Sequence, residues 1–367
     1  MTGDSRDNRN SFSQKLTDIL NYGALNLAMG LGYRARLFDV MDTFDSPQQV
    51  SFIAEKAGLH DRYVREWLGI MVMGGIVFLF KDETGQDLFH LPKDHADLLT
   101  RRAGNANMGV YTQEIPLLTS TVLVAVESGF KTGEGIPYEM YPGFQRFMGQ
   151  LADAKHRQVL VNRFLPSVEN GEIVKKLRAG ISVCDIGCAE GVALTLMAEA
   201  FPKSHFTGID ISEKVLDTAK AMAGEKNLSN IIFEKQDASC LKQDRQLRKK
   251  FDYVTAFDAI HDQTKPMKAL EGIHSIIKDD GSFSMVDIAA SSDLSKNMDH
   301  PMGMFLYTVS LMHCMPVGLA NGGTGLGMMW GREKAVEMLQ GAGFGQVEVK
   351  EIPEDPFNLH FYCKKQV

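Results

Sequence analysis

The sequence predicts an α/β protein in which a mainly helical front part precedes an open, mostly parallel sheet. From residue 181 onward, short apolar runs alternate with helical patterns, which is typical of βαβ units. Before that point, apolar residues recur at helical spacings and one predicted hairpin interrupts them. A length of 367 residues suits two domains.

Composition and charge exclude several function classes. The formal net charge is −7, which argues against non-specific binding of nucleic acid. The longest apolar run covers 12 residues, whereas a membrane-spanning helix needs about 20. The five cysteines form no C-x-x-C pair and are too few for a disulfide framework. We therefore expect a cytoplasmic protein that acts neither on a membrane nor on nucleic acid.

The front part reads as a winged-helix domain, residues 13–103, after a disordered polar tail, residues 1–12. Helical spacing predicts a first helix from about Ser13 to Thr43. Ser46 and Pro47 predict the start of a short second helix, because Pro is favoured at the first helical position. A third helix, residues 60–74, and a hairpin that turns at residues 83–86 complete the pattern.

The next segment, residues 104–180, predicts linker helices around one irregular loop. It is rich in aromatic residues and contains a loop marked by several Gly and Pro residues. We expect it to contribute to a substrate pocket, with Tyr111 and Tyr138 as candidate lining residues.

The sharpest signal lies where the first predicted strand of the sheet ends. Asp185, Gly187, Ala189 and Gly191 form the pattern D-x-G-x-A-x-G, which opens a helix. Small residues there let the backbone turn tightly and approach a ligand closely. The spacing differs from the G-x-G-x-x-G of dinucleotide-binding proteins. An acidic residue before the turn suits an ammonium group better than a pyrophosphate.

Acidic residues also follow the next three predicted strands. Asp210 comes 25 residues after Asp185, where a carboxylate can accept hydrogen bonds from both hydroxyls of a ribose. Asp237, followed by Ala238, suits the amino group of an adenine, and Asp258 follows the fourth strand. Together with Ile211, these residues predict a nucleoside site at one edge of the sheet.

These residues resemble the motifs of class I S-adenosylmethionine-dependent methyltransferases, and the resemblance covers residues 181–367. Asp185, Gly187 and Gly191 match the first motif, Asp210 matches the ribose-binding acid, and Asp237 matches the acid near the adenine. Ala189 replaces the usual middle glycine. The resemblance implies a Rossmann-like sheet of seven strands with the last one antiparallel, S-adenosylmethionine as cofactor and S-adenosylhomocysteine as product.

The whole chain also resembles bacterial-type, transcriptional-regulator-like methyltransferases with an N-terminal winged helix. The matching stretches are residues 61–68, 91–96, 257–263 and 316–320 with the Gly-rich run up to Trp330 and Gly331. This resemblance implies a methyltransferase and leaves the substrate open.

His261 is the candidate catalytic residue. Methyl transfer needs a base only where the acceptor must lose a proton. Small-molecule O-methyltransferases with a winged-helix dimerisation domain carry a His-Asp pair at this place, followed by Trp. Here Asp262 completes the pair and Gln263 replaces the Trp. The alternative is that His261 caps the following helix or binds backbone near the cofactor.

We expect a small-molecule methyl acceptor, with methylation on oxygen, sulfur or nitrogen. Asp262, His313 and Trp330 are further candidate substrate-binding residues, and residues 291–329 read as a lid-like insertion or, alternatively, a packed linker. A metal site built from Asp258, Asp262 and Asp287 is not expected, because no ligand spacing supports it.

The predicted third helix of the front domain favours a homodimer over DNA binding. It offers few basic residues and a mostly apolar surface, and residues 1–110 carry 12 basic and 14 acidic side chains. The alternative function is a winged-helix transcriptional regulator that senses S-adenosylmethionine without turnover.

Overall fold

The structure, a computed structural model, divides into two compact units, Met1–Leu117 and Leu118–Val367. It describes residues 4–353 and 355–366, except for the side chains of residues 4–10, 105, 145–146, 152–155 and 158. The division between the units falls within one helix, α6, whereas the sequence predicted domain boundaries at 103/104 and 180/181. Those boundaries stay a prediction.

The first unit contains a helical cluster and a two-stranded hairpin. Its helices and strands are α1 (Asp4–Arg34), α2 (Leu37–Met41), α3 (Val50–Ala57), α4 (Asp61–Met73), β1 (Phe78–Lys81), β2 (Asp87–His90) and α5 (Lys93–Leu99). The buried Trp67 of α4 donates from Nε1 to the carbonyl of Ala28 on α1 (2.9 Å) and contacts Phe38 edge-to-face. Helices α1 to α4 precede the hairpin β1-β2, and a winged helix likewise has helices before a hairpin.

Three predicted helix boundaries in this unit are wrong. Helix α1 begins at Asp4, so it includes most of the segment predicted as a disordered tail. It ends at Arg34 instead of Thr43, because the backbone of Arg36 is left-handed and separates α1 from α2. Helix α3 begins at Val50 instead of Pro47. The reason is that Gln48 pairs with Phe89 of β2 through two backbone hydrogen bonds of 2.9 and 2.8 Å, which holds its backbone extended. A helix cannot begin before that bridge ends.

The second unit contains the sheet and the helices that cover it. Its helices are α6 (Glu114–Thr132, which crosses the division), α7 (Phe144–Val159), α8 (Leu165–Ser167), α9 (Glu172–Ala179), α10 (Val192–Ala200), α11 (Glu213–Glu225), α12 (Pro266–Ile276), α13 (Gly303–Val309), α14 (Met315–Leu319) and α15 (Arg332–Gly341). Its strands are β3 (Ser182–Ile186), β4 (His205–Asp210), β5 (Ile231–Lys235), β6 (Phe251–Phe257), β7 (Ile277–Ile288), β8 (Phe344–Ile352) and β9 (Asp355–Lys365).

The seven strands form one sheet in the order β5-β4-β3-β6-β7-β9-β8. Strands β3 to β7 pair in parallel, and β9 is antiparallel to both β7 and β8. The predicted fold class, a seven-stranded sheet whose last strand is antiparallel, is confirmed. The order reverses between β4 and β6 on either side of β3, and open sheets of this kind bind ligands outside the carboxyl ends of the strands at that point.

Helices cover both faces of the sheet. Successive residues of a strand point to opposite faces, and Tyr253 and Val254 of β6 belong to two different core clusters. One cluster packs α12 and α15 against the sheet, and the other packs α9 and α10 against it. Nearly every residue of β6 and of the end of β7 is buried, which fixes the positions of the side chains at the strand ends.

The predicted lid-like insertion, residues 291–329, is largely helical. Its residues 310–314 form a π-helical turn between α13 and α14, and Tyr141 donates from its hydroxyl to the carbonyl of Met312 (3.0 Å). The continuous helical stretch Gly303–Gly322 is long and apolar enough to cross a membrane, but 61% of its most apolar window is buried within the protein, as in a core helix. Its function as a lid stays a prediction.

Candidate active site

The loop between β3 and α10 forms a tight backbone turn at the edge of the sheet. Gly187 and Cys188 donate from their amides to the carbonyl of Ile209 on the neighbouring strand β4 (2.8 and 3.1 Å). Gly187 has a φ of +70°, and a Cβ there would lie 2.6 Å from Cβ of Ala259. Only glycine therefore fits this position without strain. Gly191 has a φ of +72° and lies against the ring of Phe233.

Asp210 connects this loop to the next strand. Its carboxylate accepts from the amide of Ala189 (3.0 Å) and from the amide of Ser212 (2.9 Å). Burial raises the pKa of Asp210 above its ordinary value, although the hydrogen bonds from Ser212 and Ala189 lower it. The carboxylate is thus held at the sheet edge, with its position fixed by backbone donors.

A small cavity of about 50 Å³ lies in front of this edge. Its lining residues are Gly187, Ile209, Asp210, Ile211, Gln236, Asp237, Ala238 and Gln263. The structure therefore brings five of the nine predicted nucleoside-site residues to one cavity. It also adds Ile209, Gln236 and Gln263, which the sequence did not single out for this site.

The other predicted acids lie around this cavity in different surroundings. Asp185 is buried and accepts from the hydroxyl of Thr255 (2.7 Å); burial raises its pKa to about 7. Asp237 caps the following helical turn by accepting from the amide of Ser239 (2.8 Å). Asp258 has a φ of +50°, and its amide donates to Val286 of β7 (2.9 Å). Asp258 thus lies in the left-handed backbone region, which Asp adopts more readily than most residues other than glycine.

The turn after β6 holds His261 between two carboxylates. Nδ1 of His261 lies 2.8 Å from Oδ1 of Asp287 at the end of β7, and Nε2 lies 3.4 Å from Oδ1 of Asp262. Only 2% of His261 and 1% of Asp287 are exposed. Burial lowers the pKa of His261, but the charges of Asp287 and Asp262 more than offset this and hold the pKa well above its ordinary value.

Aromatic rings from residues 138–144 surround His313 on the π-helical turn. The ring of His313 lies 5.8 Å from Tyr138, 4.8 Å from Tyr141 and 4.4 Å from Phe144, centroid to centroid. Burial lowers the pKa of His313, so its ring is neutral near pH 7. Nε2 of His313 has no hydrogen-bond partner among the residues that the structure describes. Burial is the main cause that raises the pKa of Tyr138, and the nearby charges of Asp262 and Asp210 raise it further.

Two predicted substrate-binding residues lie elsewhere. Trp330 is 6% exposed and belongs to the core cluster around α15, and its carbonyl accepts from the hydroxyl of Ser292 (2.7 Å). Tyr111 lies in the first unit, on the turn Gly109–Gln113. The roles proposed for both residues stay predictions.

The sequence reasoning missed two members of this site. Asp287 was weighed only as a metal ligand, yet it pairs with His261. Cys314 was given no role, and it lies within 4.8 Å of the donor atoms of His261 and Asp262. Asp287 had a usable signal, because an acidic residue within the apolar strand end Met285–Ile288 must find a buried partner.

Comparison with protein families decides what this unit is. Residues 177–343 match the family described as "Methyltransferase domain", and residues 23–101 match the "Rv2258c-like winged HTH domain". Residues 177–343 of the second unit are a methyltransferase domain. The prediction of a methyltransferase that uses S-adenosylmethionine and carries an N-terminal winged helix is confirmed at this level.

Curated relatives of the methyltransferase domain share limited stretches of sequence. The chain is 24% identical over 202 residues to a demethylmenaquinone methyltransferase of Listeria welshimeri. The aligned stretch covers 52% of this chain and 81% of the relative. It is 40% identical over 55 residues to a tRNA (guanine-N(7)-)-methyltransferase of Synechococcus elongatus, 15% of this chain. The chain spans about a quarter of the length of that second relative, 26%.

Solved structures resemble the chain over almost its whole length. Human N-acetylserotonin methyltransferase in complex with SAM has a TM-score of 0.68 and 15% identity, over 97% of this chain and 98% of that one. A putative O-methyltransferase of Nostoc punctiforme has a TM-score of 0.71 and 16% identity, over 96% and 98%. The mitomycin 7-O-methyltransferase MmcR has a TM-score of 0.67 and 15% identity, over 98% and 99%. At these identities the likeness shows the shared fold.

The residues of the methyltransferase domain fit S-adenosylmethionine. A nucleoside with a ribose diol and an amino acid group needs a close backbone approach and a carboxylate at the sheet edge. The turn at Gly187 leaves no room for a side chain, and Asp210 and Asp237 both line the cavity next to it. Ile211, which is 64% exposed, offers an apolar surface at the same cavity.

Proposed function

We propose that this cytoplasmic protein methylates a hydroxyl oxygen of a small molecule, with His261 as the base. One observation carries the proposal: the turn that contributes Gln263 to the cofactor cavity also holds His261 against Asp287. A side chain that can accept a proton therefore lies two residues from the wall of the cofactor cavity. A hydrogen bond within the turn stabilises it, since Gln263 donates from Nε2 to the carbonyl of Ala259 (3.1 Å).

In the proposed mechanism the domain's own residues orient the reactants and move one proton. S-adenosylmethionine, when bound, supplies an electrophilic methyl group. His261 accepts the hydroxyl proton on Nε2 while the acceptor oxygen attacks, and Asp287 stabilises the imidazolium through Nδ1. Asp287 acts through His261 and is a positioning residue. Burial of the pair excludes water and strengthens these charge interactions.

A planar, partly apolar acceptor fits the groups around His261. Asp262 interacts electrostatically with Tyr138 and with His313, and aromatic rings surround His313. We propose that Tyr138 and His313 contact the ring system of the acceptor and that Asp262 contacts a polar group on it. Structural neighbours named as O-methyltransferases support oxygen as the acceptor atom.

We also propose that the protein forms a homodimer through its front domain. Helix α4 leaves Tyr63 80% exposed and Met73 88% exposed, and helix α1 exposes further large apolar side chains such as Leu20 and Tyr22. Apolar surface on neighbouring helices favours a protein partner. Light scattering at micromolar concentration is expected to give twice the chain mass, and a monomer mass would overturn this proposal.

Replacing His261 by Ala should lower kcat by about 100- to 10,000-fold, because the acceptor hydroxyl loses its base. The affinity for S-adenosylhomocysteine should stay unchanged, since His261 is not among the residues that line the cofactor cavity. Turnover with a labelled methyl donor and a panel of phenols, measured beside calorimetric binding, checks both. His205→Ala, which removes an exposed histidine at the start of β4, is the matched control and should behave as the wild type. Equal turnover in the His261 variant would remove the base assignment.

The pH dependence of kcat/KM should report the pKa of His261. The neutral ring is the base, and Asp287 and Asp262 hold its pKa well above the ordinary value, so activity should rise with pH along a limb displaced to higher pH. Asp287→Asn removes one of the two charges that raise the pKa while burial still lowers it. The limb should therefore move to lower pH. A limb at the same pH in both proteins would show that Asp287 does not act on the base.

A further inference from the structure

Three chemically different donor atoms meet beside the proposed base. One ring nitrogen of His261, a carboxylate oxygen of Asp262 and the sulfur of Cys314 all lie within 4.8 Å of one another. Cys314 comes from a part of the chain more than 50 residues away from the other two. His261 and Cys314 are buried, with 2% and 4% exposed, and Asp262 is partly buried.

Each donor is held by neighbouring groups. Nδ1 of His261 is occupied by Asp287, which leaves Nε2 for a ligand on the side of Asp262. A carboxylate on the far nitrogen is the usual arrangement behind a metal-binding histidine. Cys314 ends the π-helical turn, and Nδ1 of His313 lies 3.5 Å from its sulfur, where an N–H can donate to a thiolate. Two of the three donors, His261 and Cys314, are thus held in place by a neighbouring side chain.

Hydrogen bonding within the cluster is incomplete. Among the side chains that the structure describes, Oδ1 of Asp262, Oδ2 of Asp287 and Nε2 of His313 are buried and have no hydrogen-bond partner. The charged groups that face His261 are both carboxylates, Asp262 and Asp287. The thiol of Cys314 hydrogen-bonds to Asp262 and His261, but a thiol is a weak donor. Buried acceptors with so weak a donor, next to two negative charges, favour binding of a cation.

The donor set selects the cation. A nitrogen, an oxygen and a sulfur ligand with one open position is a pattern of tetrahedral Zn²⁺ sites, whereas Mg²⁺ and Ca²⁺ prefer oxygen alone. Zn–N and Zn–O bonds of about 2.0–2.2 Å put two ligand atoms of a tetrahedral site about 3.4 Å apart. Nε2 of His261 and Oδ1 of Asp262 lie 3.4 Å apart.

We propose that His261, Asp262 and Cys314 form a Zn²⁺ site, in which Asp287 orients His261 and the fourth position is left to water or another ligand. Binding releases two protons to solvent, one from the thiol of Cys314 and one from Nε2 of His261, whose pKa lies above its ordinary value. The lone pair on Nε2 of His261 can accept a proton or bind the metal, but not both. Zn²⁺ therefore inhibits methyl transfer, a consequence that rests on the proposed function, whereas metal binding itself does not.

The test uses the whole chain, freed of metal, and Co²⁺ as a spectroscopic substitute for Zn²⁺. Wild-type protein should bind one equivalent of Co²⁺. Its spectrum should then contain a thiolate-to-cobalt charge-transfer band and the intense visible bands of a tetrahedral site. Zn²⁺ should displace the Co²⁺ and remove these bands. Cys314→Ser should remove the charge-transfer band and weaken binding at least tenfold. Cys240→Ser removes an exposed thiol and should change neither. Circular dichroism of each variant verifies its fold.

Asp262→Asn is a second variant, for use if Cys314→Ser does not fold. It is also expected to weaken Co²⁺ binding at least tenfold, but at saturating Co²⁺ the charge-transfer band remains because Cys314 is intact. The absence of a thiolate band in the wild type, or a band that persists in Cys314→Ser, would overturn the site. In a turnover assay, one equivalent of Zn²⁺ should abolish activity and a chelator should restore it. If the protein shows no turnover at all, the proposed function fails, and the cobalt spectra still decide the metal site.

Discussion

The site depends on the hydrogen bonds that join the loop after β3 to the end of β4. The carbonyl of Ile209 accepts from Gly187 and Cys188, and the carboxylate of Asp210 accepts from Ala189. These bonds fold the loop after β3 against the end of β4, and the parallel pairing of the two strands sets their ends side by side. A glycine at 187 is required because any Cβ there meets Ala259 from the turn after β6. One small residue therefore sets the distance between the cofactor cavity and the turn that holds His261.

Charge and burial act together on the other side of that turn. His261 and Asp287 are nearly inaccessible, so their interaction is screened little by solvent. The charges of Asp287 and Asp262 explain why the histidine retains its proton more firmly than in water, because they outweigh burial, which lowers the pKa. The same two charges favour a divalent cation at Nε2, since a proton and a metal ion bind the same lone pair.

The sequence was a good guide wherever function depends on local spacing. The pattern from Asp185 to Gly191 and the acids at Asp210 and Asp237 follow directly from strand ends, because the carboxyl ends of parallel strands share one edge. The partners of buried side chains were harder to predict. The pairing of Asp287 with His261 depends on the register of β6 and β7, and Cys314 reaches the site only through the packing of a helix from the insertion. Trp330, predicted to bind the substrate, lies in the core cluster around α15, and its role stays a prediction.

Calorimetric titration with S-adenosylhomocysteine tests the central claim, that the sheet edge at the ends of β3 and β4 binds the cofactor. Wild-type protein should bind saturably at micromolar concentration. Asp210→Ala removes the carboxylate and should weaken binding at least about tenfold, since hydrogen bonds to a charged group contribute about 1.5–3 kcal/mol. Asp217→Ala, which removes an exposed carboxylate on α11, should bind as the wild type does. Undiminished affinity in Asp210→Ala, or no saturable binding by the wild type, would contradict the account.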